Sequence, residues 1–165
     1  MADSAFTLNS PTVAPNSTIA DQHVFDGFGC SGENISPALS WSGAPSGAKS
    51  FAVTLYDPDA PTGSGWWHWV VYNLPASITQ LPQGAGNPGG KLPAGAAQGR
   101  NDYGVTGYGG PAPPPGHTPH RYVFTLYALK TDHIEVPPNS STALIGFMLN
   151  ANKLATAGFT ALYGR

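Results

Sequence analysis

Apolar and polar residues alternate along several stretches of this chain, and the alternation predicts strands. Ser50–Tyr56 sets Phe51, Val53 and Leu55 against Ala52, Thr54 and Tyr56, the period of two expected of a half-buried strand. Trp67–Leu74 (WHWVVYNL) is dense enough in aromatic and β-branched residues to predict a strand buried on both faces, and Arg121–Leu129 (RYVFTLYAL) has the same texture. Shorter apolar pieces at Phe6–Leu8 and Pro37–Trp41, set between turn residues, predict brief extended segments. In the tail the period changes. Leu144, Ile145, Met148 and Leu149 recur at helical spacing behind Ser140-Ser141-Thr142, whose hydroxyls can cap a helix. This predicts one helix over 143–157, weakened by Gly146 and stopped near Gly158, with a short closing strand at Phe159–Tyr163. Many strands and a late helix imply a mostly-β, antiparallel sandwich with peripheral helices.

Between the second and third strong strands, Gln83–Pro119 is rich in glycine and proline and has no periodicity. Loops this long inside a compact unit are uncommon and usually functional or disordered. Asn101-Asp102-Tyr103 and Tyr108 supply polar and aromatic anchors, so an ordered functional loop is expected. Flanking strands of one pattern argue against a linker, and residues 1–165 are expected to form a single domain.

Composition narrows the partners. Only 10% of the residues are charged, against about 25% in typical globular proteins, and the net charge is −2. No basic run exists to neutralise phosphates in series, so neither nucleic acid nor an anionic membrane surface is an expected partner. Met1-Ala2-Asp3-Ser4 does not begin a signal peptide, and no apolar run approaches membrane-spanning length, so a cytoplasmic protein is expected. Cys30 is the single cysteine, which rules out an internal disulfide and a cysteine-based zinc site. It reads as a small buried thiol.

Three clusters can carry chemistry. Asp57-Pro58-Asp59-Ala60-Pro61 follows the first strong strand, with two prolines stiffening two carboxylates. His68 lies in the apolar run Trp66-Trp67-His68-Trp69-Val70, where a buried ring needs partners for its nitrogens. In His120-Arg121-Tyr122, strand alternation turns His120 and Tyr122 to one face and Arg121 to the other, toward a structural ion pair or hydrogen bonds. The glycines of Gly107–Gly116 let backbone approach a ligand closely. His23, His117 and His133 sit in polar or turn surroundings and read as surface residues. No serine occupies a Gly-x-Ser-x-Gly elbow.

The motifs, in order, are Asp57-Pro58-Asp59-Ala60-Pro61, Trp66-x-His68-Trp69-Val70-Val71-x-Asn73, Gly107-Tyr108-x-Gly110-Pro111-x-Pro113-Pro114 and Pro119-His120-Arg121-Tyr122-x-Phe124. Together they resemble the phosphatidylethanolamine-binding protein family, and more narrowly its prokaryotic, Raf kinase inhibitor-like branch. The resemblance runs from Phe6 to Tyr163. It implies a large antiparallel sheet packed on a smaller sheet, with helices at the C-terminal side. It also implies a small anion pocket at one end of the sheet, accepting phosphate, acetate or a phosphoethanolamine head group. Matched by motif, Asp57, Asp59, His68, His120 and Tyr122 would form the pocket, with Trp66 as an apolar wall and Gly110 and Pro111 as the rim. His68, His120 and Tyr122 would donate to the anion. The carboxylates would either orient the histidines or receive the ammonium of a zwitterionic head group.

The resemblance thus implies a binding protein for a small phosphorylated or other anionic ligand, without a cofactor, regulatory or inhibitory toward a kinase or protease. The sequence names no such target. A homodimer is compatible with the prokaryotic branch. The alternatives are an enzyme using a His–Asp pair for acid–base chemistry and a metal site built from Asp57, Asp59, His68 and His120.

Overall fold

The computed structural model describes residues 5–165. In chain order its elements are β1 (Thr7–Asn9), a 3₁₀ turn (Asp21–His23), β2 (Leu39–Ser42), β3 (Ser50–Asp57), β4 (Trp66–Pro75), β5 (Gln80–Leu81), β6 (Ala97–Gln98), β7 (His120–Leu129), α1 (Thr142–Asn152) and β8 (Lys153–Tyr163). They form two antiparallel sheets, a small one of order β1-β2-β5 and a large one of order β6-β4-β3-β7-β8.

The large sheet is covered on both faces. Leu8, Leu39, Trp41 and Leu81 of the small sheet pack with Phe51, Val53, Leu55, Val71, Phe124 and Leu126 in one apolar cluster. On the other face, Ile145 and Leu149 of α1 close over Ala52, Val70 and Leu129. This double cover corrects two readings of the alternation. β3 is buried nearly throughout rather than half-buried, because it is the central strand. β7 is the alternating one, with Tyr122, Phe124 and Leu126 buried and Arg121 exposed.

The helix is shorter than its periodicity implies. Ser141 caps it, its Oγ accepting from the Leu144 backbone N–H at 3.2 Å, and helical geometry ends at Asn152. The next eleven residues form β8 and pair with β7 along its length, from Lys153 opposite Leu129 to Tyr163 opposite His120. Without β8, β7 would present a long row of unpaired backbone groups at the sheet edge. That pairing outweighs the helical preference of Leu154, Ala155 and Ala157. Gly158 therefore sits inside the strand, where a Cβ would lie 2.3 Å from the Phe124 carbonyl oxygen.

This topology decides where a site can form. In the order β4-β3-β7, antiparallel pairing brings the end of β3 and the starts of β4 and β7 to one edge of the sheet. Asp57, Trp66 and His120 are the residues at those three ends.

Candidate functional site

A hollow of about 170 Å³ opens at this edge, lined by Asp57, Trp66, His68, His120 and Tyr122 from the strands. Phe28, Tyr103 and the segments 60–62 and 112–114 complete its walls. A roomier open groove, about 940 Å³, follows the small sheet but has no titratable side chain in its lining. The first hollow is therefore where convergent chemistry lies.

Asp57 is almost fully buried and both its oxygens are engaged. Oδ1 accepts from the Asp59 backbone N–H at 2.8 Å, closing a tight turn, and Oδ2 accepts from His120 Nδ1–H at 2.7 Å. His120 is thereby fixed in ring orientation and tautomer, and Nε2 is its remaining nitrogen. That atom faces His117 Nδ1 at 3.1 Å.

His68 is held from behind. Its Nδ1–H donates to the Gly109 carbonyl at 2.7 Å. Since a carbonyl only accepts, the proton belongs on Nδ1, and a neutral His68 presents Nε2 as a lone pair. Burial holds the ring neutral by pulling its pKa down to about 4, against smaller upward contributions from the Gly109 carbonyl and the Asp57 charge. At neutral pH His68 is thus an acceptor, whereas the family resemblance cast it as a donor.

Of three side-chain polar atoms buried without a hydrogen-bond partner among the described residues, two are Trp66 Nε1 and Tyr122 Oη. Both belong to residues lining the hollow. Burial pushes the Tyr122 phenol far above its ordinary pKa, so it keeps its proton. Trp41 Nε1 is similarly unpartnered but lies outside the hollow.

Asp59, Gly110 and Pro111 are not part of this lining. The Asp57–Asp59 turn carries the second carboxylate away, and Arg121 takes it through two side-chain bonds of 3.0 and 2.8 Å and a backbone N–H bond of 2.8 Å. The guanidinium holds Asp59 down at about pKa 2. Arg121 is exposed, so solvent screens the pair and it adds little to stability. Gly110 makes a close approach to protein backbone. Its N–H donates to Asn34 Oδ1 at 2.8 Å and its carbonyl accepts from Tyr103 Oη at 2.8 Å. The Pro111 carbonyl accepts from the Phe25 N–H at 3.0 Å. Both residues therefore brace the wall from outside.

Sequence reasoning missed several contributors. Tyr103 spans the hollow between Phe28, with ring centroids 5.3 Å apart, and Trp66, at 5.2 Å. Arg165 ties two rim segments, donating to the Pro113 carbonyl at 2.6 Å and the Phe28 carbonyl at 2.8 Å. An aromatic inside a polar anchor such as Asn101-Asp102-Tyr103 was the available signal for Tyr103. Nothing local marks Phe28. His23, read as a surface residue, is fully buried: it donates from Nδ1 to the Ile35 carbonyl at 2.7 Å and bonds Thr12 Oγ1 through Nε2 at 2.9 Å. His117 and His133 are exposed, as read, though His117 touches His120 from outside the lining of the hollow.

A chain with this fold and these motifs has known relatives. The model of the family described as phosphatidylethanolamine-binding protein matches residues 9–164. The chain belongs to that family. It is 59% identical over 160 residues to Escherichia coli YbcL, covering 96% of this chain and 87% of the relative. It is 54% identical to Escherichia coli YbhB, covering 86% of this chain and 89% of the relative. The YbcL crystal structure, described as a new member of the mammalian family, superimposes with a TM-score of 0.95 at 57% identity over 99% of both chains. The family's sandwich and its C-terminal helix are what the fold shows.

Burial of His68 has a consequence for stability. Its folded pKa lies below the unfolded value, so above pH 6.5 its neutrality costs nothing. As pH falls from 6.5 toward about 4, the unfolded chain takes up a proton that the folded ring refuses. Stability drops by on the order of 3 kcal/mol over that window. His23, also pulled down chiefly by burial, acts in the same direction. Urea unfolding midpoints at pH 7.5 and pH 4.5 measure the loss, and equal midpoints would refute this account of both histidines.

Proposed function

We propose that the hollow binds a small oxyacid anion that keeps a P–OH, either inorganic phosphate or a phosphate monoester in its monoanionic form. The observation that carries this reading is the pair of buried, unpartnered donors, Trp66 Nε1 and Tyr122 Oη, in residues lining the same hollow as His68 and His120. A buried polar group without a partner costs about 1–3 kcal/mol, and an anion accepting from both removes that cost. His68 then adds selectivity, since its Nε2 lone pair needs a hydroxyl or another donor opposite it. A P–OH supplies one. A fully deprotonated sulfate does not.

The geometry favours one of the two roles open to the carboxylates. Asp57 is committed to His120 and the Asp59 backbone, and Asp59 to Arg121. Both carboxylates already hold partners within the protein, so this reading assigns the site to the phosphoryl end of a phosphoethanolamine-like ligand. An enzymatic reading would use the Asp57–His120 pair, but Thr62, the aliphatic hydroxyl in the lining, donates to the Gly65 carbonyl at 2.6 Å instead of facing His120. For a metal, no group of three or more His, Cys, Asp or Glu side chains among the described residues is placed to hold an ion.

Isothermal titration at neutral pH with inorganic phosphate and with sulfate tests the reading. Phosphate is expected to bind at least about tenfold more tightly, the worth of one hydrogen bond made against one refused. Equal affinities would remove His68 as a selector, and no binding of either anion at millimolar concentration would remove the proposal.

A further inference from the structure

His120 can serve a ligand through one atom only. Its Nδ1–H is committed to Asp57 Oδ2 at 2.7 Å, so any bond to an anion must come from Nε2. In the neutral ring that atom is a lone pair, and an anion cannot accept from a lone pair. It is also occupied: His117 Nδ1 lies 3.1 Å away, and with His120 protonated on Nδ1 the donor in this contact is His117. His117 is exposed, on the loop that follows Pro113-Pro114-Pro115-Gly116. His120 borders both the ligand hollow and an outer depression lined by Asp59, His117, Thr118, Pro119 and Arg121, so His117 meets His120 from the outer side.

We propose that His117 is a displaceable cover on His120 Nε2, and that ligand binding breaks the His117–His120 contact while His120 takes up a proton on Nε2. This rests on the anion-site reading above and assigns His117 a positioning role in it. When the ligand leaves, the proton returns to solvent and His117 closes on the bare nitrogen. Phosphate-type ligands are then held more tightly as pH falls, through the histidines rather than through the ligand alone.

The surroundings leave these two rings as the switch. Asp57 on β3 holds the far side of His120, and Asp59 and Arg121 neutralise one another. His68 on β4 stays neutral down to about pH 4. The phenols of Tyr122 on β7 and Tyr163 on β8, opposite His120 in the sheet, are both pushed up by burial and keep their protons. Histidine is the side chain that ordinarily changes charge between about pH 5 and 8.

The test compares the protein with His117→Ala, a surface change that leaves the core intact. Inorganic phosphate affinity is measured by titration calorimetry from about pH 5.5 to pH 8. Both proteins meet the same phosphate, so its own ionisation cancels in the ratio of affinities. At pH 8 the variant is expected to bind about fivefold more tightly, the worth of one neutral hydrogen bond no longer broken. The advantage is expected to shrink toward about pH 5.5, because a proton taken up on His120 Nε2 removes the acceptor that the cover needs even without ligand. A ratio that stays constant with pH overturns the proposal.

A second readout needs no ligand. Nitrogen-15 spectra of the histidine side chains should show His120 Nε2 shifting and titrating differently in His117→Ala, and identical His120 titrations would refute the contact. If the contact is seen but phosphate binds neither protein, the anion-site reading fails and the cover proposal falls with it. A constant ratio with good binding sinks the cover alone.

Discussion

Gly110→Ala is expected to cost about 3–5 kcal/mol, a large share of the 5–15 kcal/mol that holds a typical domain together. Gly110 does not have a positive φ, so the cost is one of space. A Cβ there would lie 2.1 Å from the His23 carbonyl oxygen, 2.7 Å from Phe25 N and 2.8 Å from Val24 C. All three are backbone atoms and cannot rotate aside. Moving them strains a seam in which Tyr108 Oη donates to the His23 carbonyl at 2.6 Å and Gly109 N–H to the His68 carbonyl at 2.9 Å. Overpacking alone costs about 1–3 kcal/mol, and each lost hydrogen bond adds about 1 kcal/mol.

Gly146→Ala is the control. It lies in α1 with nothing within 4 Å of the added Cβ, and should stabilise by about 0.5–1 kcal/mol. Thermal unfolding reads both, at about 2–4 °C per kcal/mol for a chain of this size. If Gly110→Ala unfolds like the parent protein and loses only phosphate binding, Gly110 acts as a ligand contact and not as packing.

That glycine shows where sequence reasoning stops. A glycine-rich stretch announces close backbone approach, but the partner lies in a segment more than 80 positions earlier, which no local pattern can reveal. The strands were legible because β-branched and aromatic runs bounded by glycine and proline have few other uses. Which strand lies central was not. Cover on each face depends on how the sheets stack, and that exchanged the expected burial of β3 and β7. β8 was hidden for a related reason: Lys153–Ala157 has helix-favouring residues, and only the exposed edge of β7 makes it a strand.

The site was legible where residues sit in strands and obscure where they sit in turns. His120 and Tyr122 point together and Arg121 apart because strand alternation is rigid. Asp57-Pro58-Asp59 has no such rule. The Asp57 side chain caps the Asp59 N–H, and this local bond rotates the second carboxylate out to Arg121. His117 looked like an ordinary surface histidine because its loop position carries no periodicity. Its nearness to His120 follows from the path of the loop alone.

Tyr122→Phe is expected to separate binding from folding, with opposite signs. The ring is fully buried and makes an edge contact with His68 at a centroid distance of 5.4 Å, and phenylalanine keeps both features. Only the hydroxyl goes, and it has no partner among the described residues. Deleting an unsatisfied buried hydroxyl removes a desolvation cost, so the ligand-free variant should be as stable as the parent or gain up to about 1 kcal/mol. Phosphate binding should suffer. A hydrogen bond to a charged acceptor contributes about 1.5–3 kcal/mol, so affinity falls by about 10- to 100-fold. A thermal-shift series reads both effects: the variant should start at an equal or higher midpoint and rise less as phosphate is added, since ligand stabilisation follows the ratio of concentration to Kd. A purely structural tyrosine would lower the starting midpoint and leave the phosphate response unchanged. That result would take Tyr122 out of the binding set and leave Trp66, His68 and His120 as the groups available to an anion.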